Sequence, residues 1–235
     1  MHDSSALPSP QRLARVAGLL YLVIIVCGVG GQGLIREPMI GETAAQTVAA
    51  IQQAALAFRL SVLADVAMVL ADVGLGALLY VLLAPVSRTL SLAAMAFRLA
   101  QASVLGVNLV HLLQAQALAG APGLEGRDAL VMSLLDAHAV GYDLGLMFFA
   151  VNCLLVGVLI ARSKFLPRAL GVGVGVSGVV YLVGGGLRVL APALAASFAP
   201  AYVVPLLAEL ALCGWLLARG LDAAQWRRDE MSLGA

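Results

Sequence analysis

Six stretches of this chain are apolar over about the length needed to cross a lipid bilayer. They run at about 13–35, 57–84, 88–119, 129–161, 168–190 and 201–219. A hydrocarbon core of about 30 Å takes about 20 helical residues to cross, and every run meets that length. No water is present there to satisfy backbone amides, so such runs fold as helices and associate as a bundle. Composition removes the alternatives. The chain is 62% hydrophobic and only 11% charged, against about 25% charged in soluble domains. An ordinary cytosolic enzyme, a disordered tail and a secreted disulfide scaffold are excluded. The expected fold class is all-α, an integral membrane bundle of six transmembrane helices, with residues 1–235 forming a single domain. The third and fourth runs exceed the length needed and are expected to tilt or project.

Basic residues set the orientation. With the N-terminus inside, the cytoplasmic segments hold Arg12, Arg15, Arg88, Arg162, Lys164, Arg168, Arg219, Arg227 and Arg228, and the outer side holds Arg36, Arg127 and Arg188. Arg59 and Arg98 lie within runs. That asymmetry places both termini in the cytoplasm, as an even number of spans requires. The N-terminal segment has Arg12 and Arg15 before an apolar stretch, as a signal peptide does. No small-x-small cleavage site follows, so it reads as a retained first span. Most connections are short and predict antiparallel neighbours. The exception is 36–56, where Val48, Ile51 and Ala55 recur at helical spacing within Glu42–Ala55. This stretch reads either as an amphipathic helix on the outer interface or as an extension of span two.

Net charge is +1, which provides no basic domain for nucleic acid. Cys27, Cys153 and Cys213 are scattered through apolar runs and form neither a disulfide framework nor a CxxC site. They read as small core residues. Span five carries Gly171, Gly173, Gly175 and Gly178, then Gly184–Gly186, and span one carries Gly28, Gly30, Gly31 and Gly33. Gly171-x-Gly173 has neither the preceding strand nor the following Lys-Ser/Thr of a phosphate loop. Close helix packing through small faces such as Gly171/Gly175 is the expectation. The Gly184–Gly186 run is expected to break or bend span five near its outer end.

Ionisable side chains at membrane depth cost at least about 2.5–3.5 kcal/mol each and need a partner or a task. Span two holds Arg59, Asp65 and Asp72; span three Arg98, Gln101, Asn108, His111 and Gln114; span four Asp136, His138, Tyr142, Asp143 and Asn152; span six Glu209. Seven-residue spacing puts Asp65 with Asp72, and Asp136 with Asp143, on shared faces. His138 and Tyr142 point roughly opposite to the aspartates of their helix. Pairing positions back from the short Ala84–Thr89 turn sets Asp72 level with Arg98 and Gln101, and Asp65 level with Asn108. Asp143 and Glu209 fall near the middle of their runs. Two layers are therefore expected. A mid-membrane cluster contains Asp72, Arg98, Asp143, Glu209, Gln101 and Asn108. An outer layer contains Arg59, Asp65, His111, Asp136, His138 and Tyr142.

Five carboxylates in these layers face two arginines, or three with Arg188. The surplus cannot all be ionised in low dielectric without a counter-ion. Arg98–Asp72 is read as a structural ion pair joining spans two and three. Asp143 and Glu209 are the leading candidates for proton or cation handling. The histidines lack HxxxH or HxxEH spacing and come from different helices, so no metal and no cofactor is expected. Ser61, Ser103 and Ser177 have no visible His–Asp arrangement for nucleophilic catalysis.

Several stretches carry a family resemblance. They are ARVAGLLYLVIIV at 14–26, the segment from 57 to 110 with FRL at 58–60 and 97–99, DxHxxGY at 136–142, FLPR at 165–168 and LLAELALCGWLLARG at 206–220. Together they resemble a bacterial multi-pass membrane family of unknown function, numbered four-three-eight-six. The resemblance covers nearly the whole chain and implies a single domain, with no activity to carry over. The leading expectation is small-solute or ion handling through the buried polar cluster, with a small cationic or protonatable ligand and the lipid bilayer as partners. A membrane-embedded enzyme acting on a lipid-like substrate and a structural or partner-binding subunit are the alternatives.

Overall fold

The computed structural model describes residues 9–232, and every regular element among them is helical. The chain opens with α1 (Pro10–Gly28), which continues through a π-helical segment (Val29–Arg36) and one 3-10 turn (Glu37–Met39). Then come α2 (Ala44–Gln53), α3 (Ala55–Leu83), α4 (Arg88–Ala119), α5 (Arg127–Arg162), α6 (Arg168–Leu190) and the short α7 (Pro192–Phe198). A 3-10 turn (Ala199–Tyr202) leads into α8 (Val203–Ala218), and α9 (Ala223–Ser232) follows. Six of these segments are long and apolar enough to cross a membrane: Pro10–Met39, Ala55–Leu83, Arg88–Ala119, Arg127–Arg162, Arg168–Leu190 and Ala199–Ala218. The protein is a multi-pass membrane protein. Large apolar side chains such as Leu63, Leu70, Val107 and Leu207 are exposed on the perimeter, where lipid rather than water is their solvent.

Local chemistry places the helix ends. Ser9 caps α1 by accepting from Arg12 N (3.4 Å), and Pro10 stands where no amide is missed. Ser87 caps α4 in the same way. Gly220 closes α8 with a φ of +69° and packs against the Gln11 side chain. Gln11 Nε2 donates to Arg219 O (2.8 Å) and its Oε1 accepts from Leu221 N (3.0 Å). The start of α1 and the end of α8 thus share one end of the bundle, here the near end. α9 is pinned there by Trp226 Nε1, which donates to Leu82 O (2.8 Å). A core of Tyr21, Leu75, Leu79, Phe149, Leu159 and Leu216 fills the near half.

Adjacent spans run antiparallel in a fixed register. Along α3–α4, Ser91 Oγ donates to Tyr80 O (2.9 Å) and Gln116 Nε2 to Ala55 O (3.0 Å). Along α4–α5, Asn152 Nδ2 donates to Ala94 O (2.8 Å) and Asn108 Nδ2 to His138 O (2.8 Å). Along α5–α6 the contact is backbone on backbone. A β-carbon on Gly157 would lie 2.7 Å from Gly175 N, and one on Gly171 would lie 2.5 Å from Ala161 N. This is the close packing that the small residues of span five predict. The expected break at Gly184–Gly186 does not occur: α6 is continuous to Leu190. Gly184 and Gly185 instead leave room for Tyr202 and Met147.

The connection after span one resolves into a separate helix. Thr43 and Gln46 form a reciprocal capping box at the start of α2. Ala54, at φ −111° and ψ 36°, separates α2 from α3. Val48 and Ile51 are buried in a cluster with Phe58, Leu109, Leu112 and Val131. The apolar face of α2 therefore covers the far end of the bundle rather than lying on lipid.

Candidate functional site

The polar residues gather into an inner layer and a far layer, each facing its own cavity. The inner layer centres on Arg98, which is 1% exposed. Its Nη2 meets Asp72 Oδ1 at 2.5 Å, and its Nη1 donates to Asn152 Oδ1 at 3.4 Å. The guanidinium also lies over the rings of Tyr21 (5.6 Å) and Phe149 (5.1 Å), a placement in which ring quadrupoles add to the stabilisation of the cation. Beside this group is a cavity of about 70 Å³. All six spans border it, through Ile24, Asp72, Gln101, Tyr142, Tyr181 and Glu209 among others.

Three acceptors on this pocket are incompletely answered. Asp72 Oδ2 and Gln101 Oε1 are buried and have no hydrogen-bond partner. Glu209 is buried and accepts one hydrogen bond, from Tyr181 OH (2.9 Å). Among the described residues Glu209 forms no ion pair. When ionised, Asp72 and Glu209 on the pocket and the Arg98 guanidinium beside it leave one negative charge in excess. A buried acceptor without a donor typically costs about 1–3 kcal/mol, and native structures hold few of them.

The far layer surrounds a cavity of about 550 Å³. Arg36 pairs with Asp65 (2.6 Å) and donates to Ser61 Oγ (3.2 Å). Arg188 pairs with Asp143 (3.2 Å), and both side chains are about one-third exposed. Asn108 links the two histidines: its Oδ1 lies 3.0 Å from His111 Nδ1, and its Nδ2 lies 3.1 Å from His138 Nδ1. His138, Tyr142, Asp143, Arg36 and Arg188 line this cavity together with Phe58, Leu112 and Leu135. Tyr142 borders both cavities.

Several sequence-based placements change. Asp143 and Asn108 leave the mid-membrane layer for the far one, Asp143 level with Arg188 and Asn108 between the two histidines, and the inner positions on α5 and α6 belong to Asn152 and Tyr181. Asp143 also shares a cavity with His138 and Tyr142, which were expected to point away from it. Arg59 and Asp136 are exposed and line neither cavity. The partner of Asp65 is Arg36, which the sequence assigns to an outer loop. The charge surplus contracts accordingly. Arg36, Arg98 and Arg188 each take one aspartate, Asp136 is exposed, and Glu209 is left. Asp72, Arg98 and Gln101 meet at the level that the α3–α4 turn predicts.

Four residues were missed as members of the two layers: Arg36, Arg188, Tyr181 and Asn152. Pairing back from the Ser163–Pro167 turn would have found the second and third. The hydroxyls of Ser61, Ser103 and Ser177 bond to carbonyls of their own helices, Phe58 O, Leu99 O and Gly173 O. Among the described residues no group of three His, Cys, Asp or Glu side chains comes together. Cys27 is half-buried, Cys153 and Cys213 are buried, and all three are free thiols.

A family model described as "Domain of unknown function (DUF4386)" matches residues 16–220. No curated protein and no solved structure matches the chain.

Proposed function

The chain belongs to the DUF4386 family, a domain of unknown function, and from that premise we propose that it handles a small cation or a small cationic solute. The far cavity is the vestibule and the inner pocket is the seat. The observation that carries this reading is Glu209, a buried carboxylate with a tyrosine hydroxyl but no cation beside it. Charge at membrane depth persists where it lines a pathway or meets a counter-charge. Of the other acids on the two cavities, Asp72 and Asp143 pair with arginine and Glu37 is exposed, which leaves Glu209 as the place where a charge is wanted.

Orientation follows from the basic residues. Two of the three arginines counted on the outer side, Arg36 and Arg188, turn into the bundle to meet Asp65 and Asp143. The excess of exposed basic residues at the near end is then larger still, which supports termini in the cytoplasm of a bacterial inner membrane. The vestibule then opens to the outside.

The test is flux in proteoliposomes under imposed proton and Na⁺ gradients, read with internal pH- and cation-sensitive dyes. Wild-type protein is expected to carry a cation-dependent signal that falls at least tenfold in Glu209→Gln. Silence of the wild type under every gradient, or equal flux in Glu209→Gln, contradicts the reading.

A further inference from the structure

We infer that the ligand of the inner pocket is a primary ammonium group, carried by an organic body that occupies the vestibule. The inference rests on the cation-site reading above and adds the chemical class of the ligand. An –NH₃⁺ group has three donors and no acceptor. The pocket presents Asp72 Oδ2 and Gln101 Oε1 without partners, and a Glu209 carboxylate with one hydrogen bond. Three acceptors meet three donors, and the single positive charge neutralises the single excess negative charge.

The rest of the wall decides between an ammonium and a metal cation. Beside the acceptors it consists of Ile24, Met68, Val69, Leu105, Leu146 and the aromatic side chains of Tyr142, Phe149 and Tyr181. Calcium takes six to eight oxygen ligands, and magnesium a near-ideal octahedron of oxygens; besides the two carboxylates and the amide only the hydroxyls of Tyr142 and Tyr181 border the pocket, and that of Tyr181 already donates to Glu209. The tyrosines Tyr142 and Tyr181 on this wall do suit an organic cation. At about 70 Å³ the pocket holds a head group and not a whole metabolite. Beyond Tyr142 the vestibule, about 550 Å³, offers Phe58, Leu112 and Leu135 to an apolar body. Rotation of the Tyr142 ring joins the two spaces, with the ammonium inward and the body outward.

Full-length protein in lipid nanodiscs, titrated calorimetrically with benzylammonium, tests the assignment. Benzyltrimethylammonium, benzyl alcohol and Na⁺ serve as parallel probes. Saturable benzylammonium binding is expected, with at least tenfold weaker binding of benzyltrimethylammonium, which has no N–H, and none of benzyl alcohol. Glu209→Gln and Gln101→Leu should each weaken benzylammonium at least tenfold. Gln101→Leu replaces an unpartnered buried acceptor with an apolar group, so it keeps the test decisive if Glu209→Gln does not fold. Equal affinity for benzyltrimethylammonium, or unchanged affinity in Gln101→Leu, overturns the inference. Na⁺ binding that is lost in Glu209→Gln, with no benzylammonium binding, overturns the amine and leaves the cation site standing. Absence of binding by every cation overturns both.

Discussion

Of the three arginine–aspartate pairs that tie spans together, two have surroundings that could hardly differ more. Arg98 and Asp72 are sealed among α1, α3, α4 and α5, with Asn152 and two aromatic rings completing the contact. Arg188 and Asp143 bridge α5 and α6 in the wall of the vestibule, each about one-third exposed. A buried pair repays its desolvation only when its remaining lone pairs and protons are satisfied. The sealed pair does not meet that condition: Asp72 Oδ2 and Arg98 Nε have no partner. The wet pair has the vestibule to solvate what it leaves open. Among the described residues, three of the four buried side-chain atoms without a hydrogen-bond partner, Asp72 Oδ2, Arg98 Nε and Gln101 Oε1, thus lie around the pocket that also holds Glu209, and the fourth is Asp65 Oδ2 in the far layer.

The sharpest way to break this contrast is Arg98→Met. It strands Asp72 in the core and should cost about 3–5 kcal/mol of stability, measured by unfolding in mixed micelles. The corresponding change in the vestibule, Arg188→Ala, should cost no more than about 1 kcal/mol, because exposed pairs contribute little. Between these extremes lies the double replacement Asp72→Leu/Arg98→Met. It should recover all but about 1–2 kcal/mol of the single-variant loss and still abolish cation binding. A double variant as unstable as Arg98→Met would mean that the pair itself stabilises the bundle. A smaller effect of opposite sign is expected at Gln101. Gln101→Leu removes a buried acceptor without a donor and should raise stability by about 1 kcal/mol, read as a higher unfolding midpoint.

Legibility in the sequence divides along the same line. The six spans are readable because apolar length alone decides whether a helix crosses a bilayer. The Arg98–Asp72 contact is readable because the turn between α3 and α4 is short and fixes the register. Asp143 is misplaced when the midpoint of its run stands for the midpoint of the membrane. At 36 residues, α5 is about 54 Å long, so it projects and its centre shifts. Its register with α6 comes from the Ser163–Pro167 turn and the glycine seam at Gly157, Gly171 and Gly175. Arg36 is hidden for a different reason. It closes the π-helical segment Val29–Arg36, whose wider turn departs from the 3.6-residue period on which helical spacing relies. Gly31 lies within that segment, and a β-carbon there would come 3.1 Å from Ser61 O. The close approach to α3 that brings Arg36 to Asp65 leaves no periodic trace.

The two cavities make the central claim directly visible. A crystallographic difference map with 4-bromobenzylammonium, collected for the wild type and for Glu209→Gln, locates the halogen by its anomalous signal and the head group by its density. The account predicts bromine in the vestibule and the nitrogen between Asp72 Oδ2, Gln101 Oε1 and Glu209, with both peaks lost in Glu209→Gln. Bromine absent at saturating ligand, or a nitrogen seated on Asp143 with the inner pocket unchanged, would contradict it.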